Sequence, residues 1–229
     1  MLGPVQPTPY DLKFSLFGIP VRVMVTFWLG AAVLGWSSLR LGLPYLLTWI
    51  VVAFVSILVH EMGHALTARL FGYPPRIMMY HFGGLALFEP HRNFSVGKSV
   101  LITLAGPFAG FAFYGLIRLS LPMLVQSGLL GPGGMTPAAF AITQLLFINL
   151  WWGVLNLLPV LPLDGGQICR DVCITLSPRR GTTIAIQIGL VAAALVAFYF
   201  FQQQRTYAAI LFAFLAIQNF QELQQRRYG

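Results

Sequence analysis

The run VVAFVSILVHEMGHALTAR, residues 51–69, decides how this chain is read. From Val51 to Val59 only Ser56 is polar, and then His60, Glu61 and His64 follow within five positions. Ionisable groups at membrane depth cost about 3 kcal/mol each on insertion scales, so they mark a site. Histidines four apart share one face of a helix, and both imidazoles can reach one metal ion. The glutamate beside the first histidine can reach a water on that ion, as general base and then proton donor. Zinc suits this set, because it lowers the pKa of bound water to about 7. With so few histidines and glutamates in the chain, chance would give the spacing in roughly one such sequence in a thousand. The alternative is three polar residues in a water-filled crevice without a metal.

The rest of the chain agrees with a membrane setting. Of its 229 residues, 57% are hydrophobic and 9% are charged, and the mean hydropathy is +0.76. Soluble domains carry about 25% charged residues, so a water-soluble fold is excluded. The net charge of +8 is scattered between apolar runs and forms no basic stripe, which suits topology anchoring and not nucleic acid. Met1 to Asp11 has three prolines and no basic stretch before an apolar run, unlike a cleaved signal peptide.

Six apolar segments predict an all-α polytopic membrane protein of about six transmembrane helices, at 23–39, 43–71, 100–119, 138–158, 183–201 and 207–220. The second would reach about 43 Å as a helix, so one end should emerge from the hydrocarbon or lie in a polar cavity. Residues 1–229 read as a single membrane-embedded domain, with a core at 43–166 and extra spans at 23–39, 183–201 and 207–220. Loop charges orient it. Lys13, Arg22, Arg69, Arg76, Arg92, Lys98, Arg170, Arg179, Arg180, Arg226 and Arg227 share one side, and Arg40, Arg118 and Arg205 the other. That bias places both termini in the cytosol.

Two histidines leave a catalytic zinc site one protein ligand short. Asp164 is the best candidate for the third. It ends the run Asn156-Leu-Leu-Pro-Val-Leu-Pro-Leu-Asp164, in which Pro159 and Pro162 break the helix and Gly165-Gly166 permit a sharp turn. Broken backbone at membrane depth is tolerated where it lines a cavity. The competing role for Asp164 is a helix N-cap, and Asp171 is a second candidate that reads as solvated beside Arg170. Both histidines and Asp164 fall toward the cytosolic ends of their spans. Cys169 and Cys173, four apart, read as reduced thiols, with a metal pair as the alternative. Arg76 to Glu89 (RIMMYHFGGLALFE) predicts a small membrane-associated β-hairpin around Gly83-Gly84, or else an interfacial loop.

These motifs resemble the site-2 protease family of intramembrane zinc metalloproteases. His60 to Arg69 with Phe71-Gly72 is similar to that family's first signature, Asn156 to Gly165 to its second, and Ala105-Gly106-Pro107 to a third feature. The layout resembles the compact bacterial subgroup linked to sporulation. The resemblance implies one zinc per chain on His60, His64 and Asp164, with Glu61 activating water. It also implies a transmembrane protein as substrate and a bacterial cell membrane as location. Asn156 would bind substrate or steady the oxyanion, unless it only bonds a neighbouring helix. The strand edge at Gly83-Gly84 would hold an unwound substrate. The chain has no room for the PDZ or paired CBS modules of some members. Gly110 stands where members often have a polar residue, so Gly106 and Gly110 read as helix-packing positions. His81 and His91 lie outside the motifs and read as interfacial. Two other classes compete: a divalent-metal transporter, against which the lack of inverted repeats argues, and an inactive scaffold that binds membrane helices.

Overall fold

The computed structural model describes residues 8–81, 83–90, 94–128, 130 and 135–228. His91 and Arg92 lie outside them. The chain divides into two compact units, 1–92 with 105–153 and 93–104 with 154–229.

The first unit begins with two strands, β1 (Leu12–Leu16) and β2 (Ile19–Val23). Between them Phe17 and Gly18 both have positive φ, at 50° and 74°, the backbone of a tight two-residue hairpin turn. Helix α1 (Val25–Leu34) and a 3-10 turn (Trp36–Leu41) lead to α2 (Leu43–Leu70). Then come β3 (Pro75–Tyr80) and β4 (Gly83–Phe88). The four strands form one sheet in the order β1-β2-β3-β4, with β2 and β3 parallel and the outer pairs antiparallel. Alternation sets its faces. Ile19, Val21, Val23, Ile77 and Met79 are buried against Phe27, Ala53, Ile57 and Ala65, while Pro20 and Arg76 point outward.

Helix α3 (Val96–Gln126) has residues in both units, and α4 is Pro137–Asn156. Two glycines bring helices together in the first unit. A Cβ on Gly63 would stand 2.3 Å from the Ala105 carbonyl oxygen, and one on Gly153 would stand 2.6 Å from the Phe111 ring. The helices carry a buried polar link, in which the Asn149 amide donates to Ser56 Oγ at 3.0 Å.

The second unit holds α5 (Asp164–Leu176), α6 (Gly181–Gln202) and α7 (Thr206–Tyr228). Val160, Ala193, Phe212 and Leu215 form its apolar core.

The sheet departs from an all-α reading, and so do the spans. Four helices are long and apolar enough to cross a bilayer: α2, α3, α4 and α6. The chain is a membrane protein on that ground. The run 23–39 is not one helix. Its α-helical part has ten residues, about 15 Å long. It stops at Gly35, where any Cβ would collide with the Trp49 indole at 2.0 Å. The segment 207–220 lies within a longer α7 whose C-terminal half carries Gln, Glu and Arg, and α3 runs beyond its expected end at 119. The hairpin at 76–89 is present, but Gly83 and Gly84 open β4 and do not form its turn.

Candidate active site

The C-terminal half of α2 places His60 and His64 one turn apart on the same face, both buried, at 4% and 8% exposure. Their Nε2 atoms converge to 3.2 Å. Two zinc–nitrogen bonds of about 2.0–2.1 Å at a tetrahedral angle need about 3.3 Å between nitrogens, so the pair fits that ion. Glu61 lies beside them and is equally buried.

Two glycines make room for these side chains. A Cβ on Gly106 would fall 2.2 Å from His64 Nε2, so α3 backs directly onto that imidazole. The close helix packing expected at Gly106 is present, with α3 meeting α2 at the His64 ring. Gly110 does pack against a helix, its Cβ position 3.3 Å from the Asn149 carbonyl. A Cβ on Gly84 would fall 2.3 Å from Glu61 Cγ and 2.6 Å from Oε1. Strand β4 thus lies across the glutamate, and only glycine lets it do so. Gly83, at φ 129°, sets its backbone near the Trp152 indole, 3.3 Å from where a Cβ would sit.

Asp164 belongs to the second unit. The helix α4 ends at Asn156, and an irregular turn runs to Leu163, which is the N-cap of α5. Asp164 is therefore not the cap; it sits in the first turn of α5 and is 7% exposed. Gly165 and Gly166 are obligatory there, because a Cβ would stand 2.1 Å from the Leu157 carbonyl oxygen and 2.4 Å from the Val160 carbonyl carbon. Among the described residues, His60, His64 and Asp164 are the group of side chains that could hold a metal ion. Asp171 is not in it; its carboxylate accepts from Ser99 Oγ at 2.5 Å. Cys169 and Cys173 are free thiols on α5, and burial, then the neighbouring Cys173, pushes the Cys169 thiol up. His81 is an exposed turn residue stacked edgewise on Tyr80.

Three features of the site were not read from sequence. Tyr80, on β3, has its phenol pushed upward by burial and then by the Glu61 charge, which puts it within electrostatic reach of the glutamate. Trp152 and the Ser56–Asn149 link are the others. Ser56 was visible as the lone polar residue before the motif, but nothing in the chain announced its partner.

Comparison with known proteins agrees with this geometry. The model of Peptidase family M50 matches residues 133–196, the part that contains Asp164. The chain has the fold of a Site-2 Protease from Methanocaldococcus jannaschii, with a TM-score of 0.63 over 93% of this chain and 95% of that one, at 24% identity. These findings bear out the resemblance to the site-2 protease family. At the level of individual proteins, it is 32% identical to a putative zinc metalloprotease of Synechocystis over 76% of this chain and 48% of that protein. It is 28% identical to a zinc metalloprotease of Methanocaldococcus jannaschii, over 79% of this chain and 51% of that protein. To stage IV sporulation protein FB of Bacillus subtilis it is 27% identical, over 75% and 57%. The chain thus spans about half the length of the curated relatives it matches.

Proposed function

We propose that the chain is an intramembrane zinc metalloendopeptidase that hydrolyses a peptide bond within or near a transmembrane segment of a membrane-protein substrate. The observation that carries this reading is the pair of imidazoles of His60 and His64, 3.2 Å apart at Nε2, with Glu61 beside them, all buried in an apolar protein. The names of the relatives, zinc metalloproteases, support it.

His60, His64 and Asp164 hold the ion. Zinc, when bound, supplies Lewis acidity that makes water a nucleophile at neutral pH and polarises the scissile carbonyl. Glu61 takes the proton from water as it attacks and hands it to the leaving amine. Gly84 keeps β4 against the glutamate and fixes its carboxyl. The edge of β4 pairs with the extended substrate, because a helical peptide bond is shielded and must be unwound first. Asn156, at the end of α4, binds the substrate or its oxyanion. The chain's location is the cell membrane of a bacterium, a reading that the sporulation-protein relative supports.

Glu61→Gln tests the reading. Proteolysis of a membrane-protein substrate should fall by about 10²–10⁴, while zinc content stays near one per chain. A metal transporter would keep substantial flux in that variant, and a scaffold would be unaffected; either result sinks the proposal. Proteomic comparison of wild type with this variant identifies the substrate as the membrane protein whose cut fragment disappears.

A further inference from the structure

We infer that Asn219, on α7, is a positioning residue that fixes the backbone carrying Asp164. The inference rests on the reading of Asp164 as a metal ligand and goes beyond it, since Asn219 lies outside both motifs and outside the matched M50 region.

An asparagine inside an apolar helix is costly unless its amide is used. Asn219 is 2% exposed. Its Nδ2 donates to the Leu161 carbonyl at 2.8 Å and to the Leu215 carbonyl, one turn back, at 2.8 Å. The first bond is the informative one, because it leaves α7 and grips the irregular turn three residues before Asp164. Gly189 on α6 completes the grip. A Cβ there would fall 2.8 Å from Asn219 Oδ1, 3.3 Å from the Pro159 carbonyl oxygen and 3.4 Å from the Leu161 nitrogen. Two helices thus close on residues 159–161, one with a hydrogen bond and one with bare backbone.

The turn passes that constraint on. Leu163 N–H donates to the Val160 carbonyl at 2.8 Å, and Gln167 N–H to the Leu163 carbonyl at 3.0 Å. Gly165 and Gly166 press the first turn of α5 onto Leu157 and Val160. Val160 itself is fully buried. No slack is left between the Leu161 carbonyl and the Cα of Asp164, so the carboxylate stands where α6 and α7 hold it. Partners that orient a metal ligand typically account for about 10–100-fold in metal affinity.

Zinc affinity of the purified full chain, measured by competition with a chromogenic chelator, tests this without any substrate. Asn219→Leu, close in size and without a donor, should weaken zinc binding about 10- to 100-fold. Gly189→Ala, which displaces the asparagine and leaves it in the sequence, should reproduce the loss and keeps the test available if Asn219→Leu does not fold. The decisive arm is a double-mutant cycle. In an Asp164→Ala background Asn219→Leu should cost nothing further, whereas in a His60→Ala background its effect should persist. Wild-type zinc affinity in both Asn219→Leu and Gly189→Ala overturns the inference. So does an equal loss with and without Asp164, which would mean general loosening of the helices. If Asp164→Ala alone leaves zinc affinity unchanged, the ligand reading fails first and the inference falls with it.

Discussion

His60 and His64 lie deep in an uninterrupted helix of 28 residues, whereas Asp164 is the first residue of α5 and follows directly on an irregular turn between two helices. On α2 the spacing of the two imidazoles follows from helix geometry alone, so the sequence position of each residue already fixes its direction. At 157–163 the backbone has no such rule. Its course is set by Gly165 and Gly166 meeting the turn's own carbonyls and by Asn219 and Gly189 closing on it from other helices. A residue on a regular element is placed locally, and one that follows a broken stretch is placed by everything packed around that stretch. If the three residues hold a metal ion as proposed, substitutions remote from it should therefore matter for Asp164 and not for the histidines.

The sharpest way to break this contrast is Gly165→Ala. Its Cβ would meet backbone 2.1 Å away, not a side chain that can swing aside. Zinc affinity is expected to fall by more than about 100-fold, beyond the usual effect of changing a residue that only supports a ligand, and chelator competition reads it. Wild-type affinity would show that the turn relaxes freely and that the contrast is false. Next in size is Gly84→Ala, where the obstacle is the Glu61 side chain. Cleavage should drop about 100-fold, the scale set by a misplacement of about 1 Å, with zinc affinity kept. A parallel loss of zinc would mean that β4 holds the histidines as well.

Smaller effects separate architecture from site. Ser56→Ala removes one of the two acceptors of the buried Asn149 amide, the other being the Leu145 carbonyl, and should lower stability by about 0.6 kcal/mol, at most about 2, in denaturant titration, with zinc affinity unchanged. The smallest expected effect is at the sheet. The Asp11 carboxyl is lowered to about 2, chiefly by the Thr8 hydroxyl, then by the Thr8 N–H and Arg22. A carboxyl whose folded pKa lies below its ordinary 3.8 contributes stability that is complete above that value and is lost as pH falls toward 2. Asp11→Asn should therefore reduce Tm by no more than a few degrees at pH 7, and the difference should shrink as pH falls below 3.8 and vanish only below pH 2. A difference that grows on acidification would reverse the sign and refute the assignment.

The sequence alone showed the α2 motif, the break at Pro159 and Pro162, and the candidacy of Asp164, because each rests on local spacing or backbone chemistry. It showed the β3–β4 hairpin but misplaced its turn, since a Gly-Gly pair signals a turn and here serves a close approach to Glu61 instead. Strands β1 and β2 were missed, although Leu12, Phe14 and Leu16 alternate, as do Ile19, Val21 and Val23, on either side of Phe17-Gly18. The apolar run that begins at Val23 masked the shorter period. The splitting of 23–39 was not legible, because Gly35 ends that helix through its contact with Trp49, which is distant in sequence.

The parallel register of Val21 with Ile77 has a consequence for how the molecule is made. A ribosome releases β1 and β2 well before β3 exists, with all of α2 still to be threaded into the bilayer. A lone two-stranded ribbon is marginal in water, so the N-terminal hairpin waits with one side bare. The strand that covers Glu61 is the last of the four to be synthesised and can join only after its helix is seated. Vectorial synthesis therefore delivers the Glu61 carboxylate before its cover, and a chain arrested ahead of Pro75 lacks the strand that lies across it.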